Sequence, residues 1–191
     1  MARRKTITKE QILNAAYEII ANEGFSKFTA RNIAAKMKCS TQPIYLEFKN
    51  MNDLKEELFK KINKYLIKDV FSVVHTGDKV VDLSLSYIHF AKNESKFYHA
   101  LYLEEYGEGK RMQVFSYTHF FDTLKTDSGY KNLTDEQINA LYTGIWIVST
   151  GLAALMGTDV IHTTEEQIKH LMKESIDAIL GWEHPIEIIT E

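Results

Sequence analysis

Apolar positions recur every three or four residues through most of the chain, the period of helices that bury one face. The first such run, Thr8 to Asn22, places Ile12, Leu13, Ala16, Ile19 and Ile20 on one stripe. Thr8 and Gln11 are spaced as a capping box, and Gly24 stands where a helix stops. Thr29 to Met37 predicts a second helix with Ile33, Ala34 and Met37 on one face. After a short break comes "CSTQPIYLEF" (39–48), in which Ile44 and Phe48 are the apolar pair one turn apart. Asn50 is placed to cap a fourth helix carrying Leu54, Leu58, Phe59, Ile62, Leu66 and Val70. Beyond His75 the pattern predicts five more helices, near 78–93, 95–106, 110–126, 134–156 and 164–181. Thr134 with Gln137 and Thr163 with Glu166 are spaced as further capping boxes. No alternating strand pattern of useful length and no repeat is present, so the expected architecture is all-α with about nine helices.

A chain of 191 residues with 45% hydrophobic and 26% charged residues can bury a substantial core. No signal peptide is visible behind the basic start. The longest apolar run, "GIWIVSTGLAALMG" (144–157), falls short of the ~20 residues that span a bilayer. One cysteine makes neither a disulfide framework nor a metal set, and with no membrane segment expected this fits the cytoplasm. The net charge of −3 hides an asymmetry. Residues 1–64 hold 13 basic against 7 acidic side chains, and residues 65–191 hold 10 against 19. A basic head on an acidic body implies that the head alone meets a polyanion.

The second and third helices, with "KCS" between them, make a helix-turn-helix signature. In this reading Cys39 plugs the turn, Ser40 caps the third helix, and Pro43 occupies a first-turn position that needs no N–H. At about 100° per residue, Gln42, Leu46 and Lys49 lie opposite the Ile44–Phe48 stripe, flanked by Tyr45 and Pro43, while Glu47 turns toward the interior. That outer face offers an amide for base edges, an apolar surface for a thymine methyl, and a phenol and an ammonium for phosphates.

The stretch "TARNIAAKMKCSTQPIYLEFKNMNDL" (29–54), with "ILNAAYEIIANEGF" (12–25) before it, resembles the DNA-binding region of the TetR family of transcriptional repressors. The shared features are a Thr opening the second helix, Ile-Ala, a small turn ending in Ser, Tyr-x-x-Phe and a downstream Leu. The resemblance implies that Thr29, Ser40, Tyr45 and Lys49 grip the DNA backbone and that Arg31, Thr41, Gln42 and Pro43 lie closest to base edges. Arg3, Arg4 and Lys5 would form an arm adding phosphate or minor-groove contacts. Two positions depart from the family: Lys38 replaces the usual turn glycine, and Met51 replaces a lysine just after the third helix. Farther on, "WIVSTGLAAL" (146–155) is similar to a Trp-x-x-x-His-Gly segment of the family, with Thr150 at the histidine position.

The implied organisation is a helix-turn-helix domain over residues 1–50 and a helical effector-binding and dimerisation domain over 51–191, joined within the fourth helix. The larger domain is rich in rings with polar tips. Candidate ligand contacts are His89, Tyr98, Tyr102, Phe115, His119, Tyr142 and Trp146, each of which can equally be core. The small residues Gly144, Ser149, Gly151, Ala153, Ala154 and Gly157 would pair with Ile168, Leu171, Met172, Ile176 and Ile179 in a four-helix homodimer interface built from 134–156 and 164–181. A tight intramolecular helix pair is the alternative. No nucleophile elbow, phosphate loop, metal cluster or cofactor motif is present, so neither an enzyme, a metal nor a cofactor is expected. The expected partners are a palindromic operator in double-stranded DNA, a small-molecule effector and a second copy of the chain. The rival function is a TetR-like adaptor or coactivator that works through a protein partner.

Overall fold

The computed structural model describes residues 7–104 and 108–186. Among them are nine α-helices: α1 (Lys9–Glu23), α2 (Ala30–Lys36), α3 (Gln42–Glu47), α4 (Met51–Tyr65), α5 (Lys79–Asn93), α6 (Ser95–Tyr102), α7 (Gly109–Thr126), α8 (Asp135–Gly157) and α9 (Glu165–Leu180). No strand occurs among the described residues. They divide into two compact units: residues up to Leu66 with Lys96–Gly109, and Ile67–Ser95 with residues from Lys110 onward. The N-terminal unit therefore runs past residue 50, taking in α4 and, after an excursion of the chain, α6.

In the N-terminal unit the local signals act as the sequence predicts. Thr8 and Gln11 close a reciprocal capping box on α1, and Asn50 accepts the Asp53 amide at the start of α4. The apolar stripes of α1 and α4 meet, so Ile12, Ala16, Ile20, Leu54, Leu58 and Ile62 are fully buried. Phe25 stacks on Phe59 with ring centroids 5.6 Å apart, and Phe97 of α6 takes the ring of Tyr17 edge-on at 5.1 Å. One chain of hydrogen bonds joins distant sequence: the Glu104 carboxylate accepts the amides of Phe25 at 2.8 Å and Ser26 at 3.1 Å. Gly24 makes room for it, with φ 84° and a position where a Cβ would lie 2.8 Å from Glu104 Oε2.

In the C-terminal unit α5, α8 and α9 pack on one another, with Phe120 and Leu124 of α7 completing the core. The Thr134–Gln137 box caps α8 as predicted. The last box forms one residue later than expected, between Thr164 and Gln167 rather than Thr163 and Glu166. α5 carries a buried carboxylate, Asp82. Burial pushes its pKa upward, but donors from the Thr76, His75 and Gly77 amides and the Thr76 hydroxyl prevail and hold it below the ordinary value.

Candidate functional site

α3 is built to show one face. Ile44 and Phe48, at 0% and 2% exposure, pin it beneath α1, and the Lys9 ammonium sits 5.3 Å from the Phe48 ring centroid. Opposite them Tyr45 is 52% and Leu46 76% exposed, and Gln42 and Lys49 are also open to solvent. An exposed leucine on so short a helix makes no packing contribution where it stands. α2 begins at Thr29, whose hydroxyl accepts the Asn32 amide at 3.2 Å, and carries Arg31 exposed one position into the helix.

The turn between α2 and α3 places Lys38 at φ 54°, in the left-handed region that favours glycine. Its amide bonds to the Ala35 carbonyl and that of Cys39 to Ala34, both at 3.0 Å, which brings the chain sharply round into α3. Three local expectations are corrected here. Cys39 is half-buried rather than a sealed plug. The N-cap of α3 is Thr41, not Ser40, and no side chain closes it, because Thr41 is itself in a helical conformation. Glu47, expected to turn inward, is exposed, since so short a helix buries only the Ile44–Phe48 line.

A second feature lies wholly within the C-terminal unit. A cleft is walled by Phe71, by Leu83, Ser84 and Tyr87 of α5, by Ser116, His119 and Phe120 of α7, and by Tyr142, Ile145, Trp146 and Ser149 of α8. The His119 ring stacks on Phe71 at 5.7 Å and on Phe115 at 6.4 Å. Burial lowers its pKa, with Asp122 pulling weakly the other way, so the imidazole is largely neutral near pH 7. The Tyr142 hydroxyl donates to the Gln113 carbonyl at 3.1 Å, and its ring stacks on Trp146 at 6.2 Å.

Residues 12–60 match the family model described as bacterial regulatory proteins, tetR family. Residues 12–60 are thus similar to the DNA-binding domain of TetR-family regulators. The chain's fold is similar to that of a TetR family protein from Vibrio parahaemolyticus, at TM-score 0.63 and 20% identity over 89% of this chain and 97% of that one. The fatty acid degradation regulator FadR from Bacillus halodurans is similar at TM-score 0.57 and 16% identity, over 96% of this chain and 100% of that one. No curated protein matches the chain in sequence.

Of the TetR-type positions expected to meet DNA, Thr29, Arg31, Ser40, Gln42, Tyr45 and Lys49 are exposed, and Thr41 and Pro43 are half-buried. Met51 is half-buried. The proposed arm, Arg3, Arg4 and Lys5, lies outside the described residues. Of the candidate ligand contacts, His119, Tyr142 and Trp146 line the cleft, and Phe115 backs His119 without lining it. His89 is elsewhere on α5, edge-on to His75 at 5.1 Å and 3.8 Å from Glu165. Tyr98 and Tyr102 do not line it either: they belong to the N-terminal unit and stack on each other at 5.4 Å. Phe71 and the serines at 84 and 116 went unrecognised, having no periodic or motif signal that separates them from core or surface.

The residues expected at a dimer interface divide in two. Ile168, Met172, Ile176 and Ile179 are buried in the unit's own core, and Gly144 lies under Ile179 and Trp182. Gly151 and Gly157 face open space, and Ile147, Leu155 and Leu171 are 50%, 43% and 41% exposed. α8 proper has 23 residues, longer than the apolar run read from the sequence, and by length and composition it could cross a membrane. Half of its most apolar 18-residue window is buried. Among the described residues no cluster of three or more His, Cys, Asp or Glu could hold a metal.

Proposed function

We propose that this protein is a TetR-family regulator and a homodimeric repressor, cytoplasmic with its DNA, and that it leaves its palindromic operator when a small molecule enters the C-terminal cleft. The observation that carries the reading is the face of α3. Gln42, Tyr45, Leu46 and Lys49 are solvent-exposed on a helix whose other side is locked by Ile44 and Phe48. Such a face suits the major groove: Arg31, Thr41, Gln42 and Pro43 near base edges, and Thr29, Ser40, Tyr45 and Lys49 on phosphates.

One α3 reads only a half-site, and a twofold pair matches a palindrome. The exposed apolar line of Ile147, Gly151 and Leu155 on α8, with Leu171 on α9, is the surface we assign to the second copy. Release follows from the path of the chain. α5 and α7 both wall the cleft, and α6, which lies between them in sequence, belongs to the DNA-reading unit. A ligand that shifts α5 or α7 thereby acts on α6, and a coupling of about 1–3 kcal/mol is enough.

Selection of duplex sites from a random pool by the purified protein, followed by binding across a salt series, tests this. A palindromic consensus with steep salt dependence is expected. Absence of DNA binding at low salt, with a stoichiometric protein partner recovered instead, would favour the adaptor function.

A further inference from the structure

We infer that Leu46 is a specificity-determining residue that reads one thymine in each half-site through its C5-methyl group in the major groove. The inference rests on the DNA-reading function proposed for α3 and adds a residue and a base to it.

Exposure is the first ground. Leu46 is 76% exposed, the most of any large hydrophobic side chain among the described residues. Ile44 and Phe48, two positions before and after it, are both buried. At about 100° per residue, Leu46 therefore stands diametrically opposite the midpoint of that buried pair. It is the crown of the face that α3 turns outward. Gln42, one turn earlier and also exposed, shares that face about 6 Å away along the axis. Glu47 stands about 100° round the helix from Leu46, so its carboxylate leaves that line clear.

Charge is the second. The exposed side chains of α2, the turn and the residues after α3 include Arg31, Lys38 and Lys49. An apolar side chain set among cations suits a polyanion that also offers an apolar group, and duplex DNA is one.

Chemistry is the third. A leucine side chain has no donor and no acceptor, so it makes no hydrogen bond to phosphate or base edge. Set against such groups it would strip their water and replace nothing. The major groove presents one apolar group, the C5-methyl of thymine. Cytosine lacks that methyl and carries an amino group where thymine has O4, so the contact separates T·A from C·G.

Fluorescence anisotropy of the full chain on the selected duplex tests this, with thymines replaced by deoxyuridine one symmetry-related pair at a time. Deoxyuridine removes the methyl and keeps every hydrogen-bonding group of the base edge. One thymine per half-site should be sensitive, at about three- to fourfold for each methyl lost and about tenfold for the pair. Leu46→Ala should weaken binding to the thymine duplex by a similar factor. It should also bind the thymine and deoxyuridine duplexes within about twofold of each other. Because Leu46 buries little, the variant's thermal midpoint should match that of the unsubstituted protein, and the deoxyuridine scan on the latter stands as a test without it. A selected half-site without thymine, a site where no thymine is sensitive, or a penalty that persists in folded L46A would each overturn the inference. Loss of a bound protein partner on Leu46→Ala, with DNA binding unchanged, would overturn it too. Sequence-selective binding indifferent to deoxyuridine contradicts the role of Leu46 alone, whereas no duplex binding at low salt contradicts the DNA-reading function and this role with it.

Discussion

The carboxylate of Glu104 lies 2.8 Å from the backbone nitrogen of Phe25, 79 positions earlier in the chain. With the second bond to Ser26 it closes the turn that leads into α2, and it ties the segment after α6 to the helix-turn-helix. Glu104→Ala should destabilise the protein by about 1–3 kcal/mol in urea denaturation, because two amides lose a charged acceptor. Gly24→Ala should also destabilise, through its positive φ and through contact with that carboxylate. Since the contact vanishes in the double variant, the two costs should sum to less than additively. Full additivity would mean that the contact contributes nothing.

Lys38 is held at φ 54°, where a side chain costs about 1 kcal/mol or more and glycine little. Lys38→Gly should therefore raise the thermal midpoint by about 1–4 °C. A midpoint that falls would show that the lysine side chain contributes more than its backbone costs.

The folded-state pKa of His119 lies below the ordinary 6.5 because burial disfavours the imidazolium. The unfolded chain then takes up the proton first, so stability is complete above about pH 6.5 and declines as the pH falls below it. His119→Gln should flatten that decline in urea midpoints measured from pH ~7.5 to ~5.5. Part of the slope should persist, because burial and His75 lower His89 in the same sense. An unchanged slope in the variant would contradict a neutral His119.

Leu171 is 41% exposed on α9. Leu171→Glu should shift sedimentation from dimer to monomer and weaken operator binding with it. A monomeric unsubstituted protein would remove the homodimer from the proposal.

Helices and caps were legible in the sequence because their causes are local. Thr8 and Gln11, Thr29 and Asn32, and Asn50 and Asp53 meet within one turn, whatever surrounds them. The last capping box slipped by one because consecutive threonines, 163 and 164, are each followed three residues on by a residue able to reach back. What was not legible is tertiary. Gly144 and Gly151 lie two turns apart on nearly one stripe of α8, yet Ile179 and Trp182 cover the first and leave the second open. The length over which α9 covers α8 depends on how the helices cross, which periodicity does not encode. Tyr98 and Tyr102 share the ring chemistry of the cleft residues, but the chain returns at α6 to the N-terminal unit and carries them away. Glu104, whose partners are far off in sequence, gave no local signal at all.

The exposed face of α3 is most directly tested by fluorescence anisotropy on a selected duplex and on variants of it changed one base pair at a time. Gln42→Ala should weaken the best site by about 1–3 kcal/mol and reduce discrimination at particular base pairs, whereas Lys49→Ala should weaken every sequence alike and lower the salt slope by about one. If both substitutions leave affinity, sequence preference and salt dependence unchanged, α3 is not the element that reads DNA.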